Sequence, residues 1–267
     1  MEPPFLGSFA VLLYAGAEAL SIRSLVKERQ RGLAPLLLAA GLLFHYADLH
    51  LRAAALHSVP YRTLSGSMSL FGWMLGIAYL LLLFRHRERA VGPFLIPFVI
   101  LFTAMGLLLP TGGSPSGPET RGALFAFHVT LAILAYAAFT ISFVLSLLYL
   151  IQNRQIRRAK TGVLFARLPA LEVIGRMNRT SVTIGIAVLA VSVLLGALWA
   201  RRVWEGLADA KVGWAMTTLF LYGFLLWMDR RGWEGRRVAL LSIVGFGVVL
   251  FSYTFVNLYF SAEHTFR

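Results

Sequence analysis

The feature that most limits what this chain can fold into is a series of eight apolar runs separated by short polar segments. They lie near residues 5–24, 33–52, 66–84, 91–110, 124–152, 181–200, 212–228 and 237–260. A bilayer core about 30 Å thick is crossed by about 20 apolar residues of α-helix, so each run is a candidate span. Inside hydrocarbon every backbone N–H and C=O needs an internal partner, which leaves helices and closed barrels, and the alternation of barrel strands is absent here. Composition agrees. Of 267 residues, 58% are hydrophobic and 14% charged, against about a quarter charged in a soluble domain, and the mean hydropathy is +0.73. The expected fold is all-α, a polytopic integral membrane bundle of about eight transmembrane helices.

A net charge of +13 would suit a nucleic-acid binder, but in a helical membrane protein basic residues mark cytoplasmic loops. Alternate inter-run segments collect 18 of the 25 basic residues, around Arg23–Arg31, Arg85–Arg89, Arg154–Arg179 and Arg230–Arg237. The expected orientation is therefore N-out and C-out, without a nucleic-acid partner. The absence of cysteine excludes a disulfide and thiol redox chemistry within the chain. Met1-Glu2-Pro3-Pro4 has no basic n-region, so the first run reads as a retained helix and not a signal peptide.

Ionisable residues at membrane depth default to functional candidates. Glu18 lies in the first run, and His45, Asp48 and His50 in the second. His45 and Asp48 share a helix face, and their simplest reading is a hydrogen-bonded pair inside the bundle. His57 and Pro60 follow in a loop, and the fourth run tolerates Pro93 and Pro97 near its cytoplasmic start. The stretch T-G-G-S-P-S-G-P-E-T at 111–120 is the most flexible in composition. It divides the chain into a four-helix half at 1–110, a linker at 111–123 and a second four-helix half at 124–267. Residues 153–180 read as the longest cytoplasmic loop, with an amphipathic piece at 168–179 suited to anionic lipid. Gly185, Ser192 and Gly196 in the sixth run are small residues that permit close helix packing.

On the outer side, Trp199 to Trp214 reads as a tryptophan-rich polar loop, W-A-R-R-V-W-E-G-L-A-D-A-K-V-G-W. Two readings stand for Trp199, Trp204 and Trp214: an interfacial aromatic belt, or a cover for a planar apolar ligand. The loop lies in sequence between His128, at the outer end of the fifth run, and His264, just past the eighth. Two imidazoles and an aromatic shelf suggest haem.

An ordered set of motifs resembles the cytochrome c assembly proteins, specifically the CcsA and HemX-like branch of membrane haem handlers, over roughly residues 30–267. The carrying residues are F-H-V at the start of the fifth run, G-A-L-W-A at 196–200, D-A-K-V-G-W-A at 209–215, G-W-E-G-R-R-V-A at 232–239, and Y-T-F-V-N-L at 253–258 before His264. The resemblance implies that His128 and His264 are axial ligands of a transiently bound b-type haem, with Trp199, Trp204, Trp214 and Asp209 forming its loop. Compared with the family, this loop is two residues shorter and lacks a W-x-W pair and a glutamate. A helix-seven histidine is replaced near Leu225, and the N-terminal P-x-x-N-x-Y-E pattern is reduced to Pro60, Thr63, Ser65 and Gly66.

The implied protein is a carrier or assembly factor and not an enzyme, multi-pass in the bacterial inner membrane. Its expected partners are haem, membrane lipid and, by resemblance, apocytochrome c and a ResB-type subunit. The alternative from another class is a HemX-like regulator of haem biosynthesis, controlling glutamyl-tRNA reductase through its cytoplasmic loops. A transporter using Glu18 and Asp48 lacks the internal repeat such folds show. The charge asymmetry generates one prediction: a periplasmic reporter fused after Arg267 is active and one fused within 153–180 is inactive. The reverse pattern overturns the orientation and the outer siting of the histidines.

Overall fold

The computed structural model describes residues 5–26, 32–55, 61, 63–110, 122–159, 162–203 and 210–251. Among them there are nine α-helices and no strand: α1 (Phe5–Val26), α2 (Leu33–Ala55), α3 (Leu64–His86), α4 (Gly92–Leu108), α5 (Ala123–Arg157), α6 (Val163–Arg167), α7 (Leu171–Val203), α8 (Ala210–Arg230) and α9 (Gly235–Phe251). Within the described residues, each of the eight apolar runs overlaps one of α1–α5 and α7–α9. Among the described residues α1, α2, α3, α5 and α7 are long and apolar enough to cross a bilayer, and α4 is a shorter apolar helix. Beside an apolar core, large apolar side chains are also exposed along the helices and many polar ones are buried. Leu12, Leu36, Leu43, Leu81, Phe84 and Phe220 are exposed, whereas His45, Asp48, Ser65, Ser142, Asn178, Ser192 and Ser242 are buried. Apolar surface faces lipid and polar side chains turn inward to partners, so the protein is an all-α, multi-pass membrane bundle.

The chain forms two compact units, one of residues 1–113 with 155–170, the other of 114–154 with 171–267. In the first, α1 packs on α2 and α4, and α3 packs on α4 and α2, closing a ring of four helices. Small residues let α3 and α4 approach: a Cβ on Gly106 would lie 2.8 Å from the backbone N of Ser69, and one on Gly72 3.0 Å from that of Thr103. Thr63 caps α3 by accepting from Gly66 N–H at 3.0 Å, and Pro93 sits in the first turn of α4, where its missing N–H is not needed.

One end of this unit is held by charge. Asp48 accepts from the Gly7 N–H at the start of α1 (3.1 Å) and pairs with Arg52 one turn on (2.9 Å). Arg52 and Ser65 both donate to the Gly106 carbonyl near the end of α4, at 3.5 and 2.6 Å. An anion thus meets a helix N-terminus and a cation a helix C-terminus, each the favourable end of a macrodipole. The partners of His45 and Asp48 differ from the pair expected between them. His45 bonds Tyr14 of α1 and Ser69 of α3, and Asp48 bonds the Gly7 N–H of α1 and Arg52, so each finds partners outside the pair.

In the second unit α8 packs on α7 and α9, and α5 makes side-chain contacts to all three. Phe139 stacks on Tyr222 at 3.8 Å between ring centroids, and Phe143 on Phe246 at 4.5 Å. Phe139, Val182, Leu189, Tyr222 and Leu225 form the buried core. A polar knot lies inside it: Ser142 donates to Asn178 (2.6 Å) and also bonds Ser242, and Asn178 reaches Ser146 at 3.4 Å. Residues 153–180 are not one long loop. α5 continues to Arg157, α6 intervenes, and α7 begins at Leu171, since leucine, methionine and arginine are good helix formers and outweigh the single Gly175. The 168–179 piece is therefore largely the first turns of α7, with Ile174 and Met177 fully buried.

The charged clasp generates a prediction. Arg52→Ala leaves the buried Asp48 carboxylate without its cation and should cost about 3 kcal/mol, read as a lowered unfolding midpoint in detergent. Asp48→Asn, which keeps an acceptor for Gly7, should cost less, and the Asp48→Ala/Arg52→Ala double variant should be more stable than Arg52→Ala alone.

Candidate functional site

His128 is the sixth residue of α5, in the helix's second turn. Its Nδ1 lies 2.7 Å from the Ser192 carbonyl of α7. A carbonyl only accepts, so the ring proton is on Nδ1 and the basic lone pair on Nε2. Ser192 Oγ donates to the His128 carbonyl at 2.7 Å and lies 3.1 Å from Nδ1. The Phe125 ring, one turn earlier, stands 6.4 Å from the imidazole and 4.8 Å from Trp199. Phe125, His128 and Trp199 thus line one end of the antiparallel α5–α7 pair. An imidazole held by Nδ1–H donation to a backbone carbonyl, with Nε2 as the basic nitrogen, is the usual arrangement of a metal-ligating histidine.

The tryptophan segment differs from the expected loop. α7 continues to Val203 and α8 starts at Ala210, so Trp199 and Trp214 are helical. Trp199 is only 6% exposed and packs inside the helix pair, because W-A-R-R contains no helix breaker. Trp214 is half-buried in the first turns of α8. Trp204, Asp209 and His264 lie outside the described residues, as does His57.

The other ionisable candidates are distributed through the first unit. His45 is fully buried, with Nδ1 3.1 Å from Tyr14 OH and Nε2 2.8 Å from Ser69 Oγ, so hydrogen bonds engage both ring nitrogens. His50 is exposed and stacks on Tyr46 at 6.2 Å, which in turn stacks on Trp73 at 5.6 Å. Glu18 is half-buried, with one carboxylate oxygen shielded from solvent. Leu225, where relatives are expected to carry a helix-seven histidine, is 1% exposed. It lines a cavity of about 40 Å³ beside Tyr149, Asn178 and the Arg179–Asp229 ion pair. That volume suits a water molecule and not a porphyrin.

Sequence reasoning missed the roles of Ser192 and Gly196. Gly185 and Gly196 do permit close packing, as their size suggests, but the sequence does not show what packs there: a Cβ on Gly196 would meet the His128 ring and one on Gly185 the Phe139 ring. The available signal was the spacing of four between Ser192 and Gly196 on one helix face, which carries no information about the ring opposite. The polar knot of Ser142, Asn178 and Ser242 was also missed, since serines inside apolar runs are unremarkable one at a time.

Fold and site together define a multi-pass helical membrane protein with an oriented imidazole near one end of its second unit. The cytochrome c assembly protein family matches residues 61–264, and the chain belongs to that family. It is 27% identical to the cytochrome c biogenesis protein CcsA of Synechococcus sp. (strain CC9902), over 95% of this chain and 92% of that one. It is 29% identical to the CcsA of Prochlorococcus marinus (strain MIT 9215), over 74% of this chain and 72% of the relative. A third relative, the CcsA of Chlamydomonas reinhardtii, is 29% identical over 78% of this chain and 60% of its own.

The hydrogen-bonded state of His45 predicts a structural role. His45→Ala removes two interhelical bonds between α2 and its neighbours α1 and α3, at about 0.6 kcal/mol each, and leaves a cavity. The unfolding midpoint in detergent should fall, and the loss should be the same with and without added hemin. A hemin-dependent midpoint for the wild type that His45→Ala abolishes would overturn this.

Proposed function

We propose that this protein handles haem in cytochrome c biogenesis, holding it between His128 and His264 at the outer face of the bacterial inner membrane. The observation that carries the reading is the fixed His128: Nδ1–H is donated to the Ser192 carbonyl at 2.7 Å, beside the apolar rings of Phe125 and Trp199. Neutral imidazole suits iron, and the donor chemistry fits the group. His128, through Nε2, and His264 would hold the iron. Trp199, through its packing on Phe125, would shape the apolar wall, and Trp204, Trp214 and Asp209 would contribute the cover. When bound, haem would supply an iron held by protein imidazoles, which suits a carrier. The family and the CcsA names of its relatives support the assembly role, and apocytochrome c and a ResB-type subunit are the partners that role implies. The regulatory HemX-like alternative gains nothing from those names.

The site should be weak. A missing W-x-W pair withdraws about 1.5–3 kcal/mol of apolar burial per large side chain, and the small cavity at Leu225 offers no inner porphyrin site. The purified full chain should take up hemin with a low-spin spectrum and lose it readily to apomyoglobin. His128→Ala and His264→Ala should each abolish that spectrum. Stoichiometric haem surviving the double substitution would make the ligand assignment wrong, and a chain that binds no haem while its basic 153–180 segment captures a cytoplasmic protein would overturn the carrier reading.

A further inference from the structure

The serines and threonines of α7 show a local rule and one exception to it. Thr180, Ser181 and Thr183 donate their hydroxyls back to the carbonyls of Arg176, Met177 and Arg179, at 3.0, 3.0 and 2.8 Å. This is the default for a hydroxyl inside a helix, which satisfies it locally. Ser192, fully buried, instead reaches across to α5 and donates to the His128 carbonyl at 2.7 Å. Its own carbonyl receives the His128 Nδ1–H. A single residue of α7 thus grips both the backbone and the ring of one residue of α5.

Gly196, four residues on and therefore on the same helix face, completes the arrangement. A Cβ there would lie 2.6 Å from Nδ1, 2.7 Å from Cε1 and 3.2 Å from Cγ of His128. The ring lies flat against bare helix backbone, and any side chain at 196 would occupy its place. Carbonyl, hydroxyl and missing Cβ constrain three different things: the tautomer, the height of His128 along α7, and the plane of the ring. A ring that merely filled a packing groove would need only the last. By contrast, a Cβ on Gly247 of α9 would meet nothing within 4 Å.

We propose that Ser192 and Gly196 form a seat that aims Nε2 of His128, making them positioning residues for haem-iron ligation. The inference rests on the reading of His128 as an iron ligand. Orienting partners of this kind typically change metal affinity by about 10–100-fold when removed.

The test uses the full chain in detergent with four variants, Gly196→Ala, Ser192→Ala, His128→Ala and, as a control for glycine replacement in a helix of the same unit, Gly247→Ala. Without haem, diethyl pyrocarbonate modification of His128 is followed by peptide mass spectrometry. Gly196→Ala should raise its rate several-fold by unseating the ring, with Gly247→Ala unchanged, and an unchanged rate in Gly196→Ala overturns the seat itself. With hemin, Gly196→Ala should weaken binding at least about tenfold and convert part of the low-spin spectrum to high-spin. Ser192→Ala, which keeps the carbonyl, should weaken it less, and Gly247→Ala should match the wild type. If His128→Ala loses the low-spin spectrum while Gly196→Ala keeps wild-type affinity and spin state, the positioning role is overturned and the ligand reading stands. If His128→Ala itself binds hemin as the wild type does, the ligand reading fails and the positioning role with it. Should Gly196→Ala fail to fold, Ser192→Ala decides alone: wild-type modification rate, affinity and spin state in that variant overturn the proposal.

Discussion

Hydrocarbon donates and accepts no hydrogen bonds, and the arrangement of this protein follows from that. Backbones are satisfied by helices, and polar side chains must find one another across helix interfaces. Asp48 therefore reaches back to the first turn of α1, Arg52 and Ser65 converge on the Gly106 carbonyl, and Ser142 ties α5 to both α7 and α9. Each of these contacts sets how two helices lie along each other, which apolar packing alone does weakly when lipid tails are as apolar as leucine.

The same constraint sets the surroundings of two histidines. His45 sits between Tyr14 and Ser69 with both ring nitrogens in hydrogen bonds, and it serves as a cross-link of α1, α2 and α3. His128 has its Nδ1 tied to a backbone carbonyl in the second turn of α5, near the helix end and beside aromatic walls. Hydrogen bonds tie His45 to two neighbouring helices, and the Nδ1–H bond to a backbone carbonyl fixes the tautomer of His128. Residue type and membrane depth do not separate these cases. The neighbours on adjoining helices do.

Much of this architecture was readable in the residues. Apolar runs of about twenty residues have one economical solution in a bilayer, so the helices and their all-α class followed from length and hydropathy. Ordered motifs from F-H-V to the segment before His264 carried the family. The helix limits were less readable, because apolarity marks where hydrocarbon begins and not where a helix ends. The W-A-R-R that follows Leu198 reads as the start of a loop by polarity, yet α7 runs on to Val203, and the basic stretch before Ser181 is helix from Leu171.

What sequence decided was therefore what local chemistry and solvent decide: spans, family, and which histidines stand at the ends of runs. Only the tertiary structure decided the partners. That His45 meets Tyr14 and Ser69 and not Asp48, that Trp199 turns into a helix pair, and that Gly196 makes room for the imidazole of His128 depend on crossing points between helices distant in sequence. Such crossings are set by ångström-scale fit among many side chains at once, and no spacing within a single helix records them.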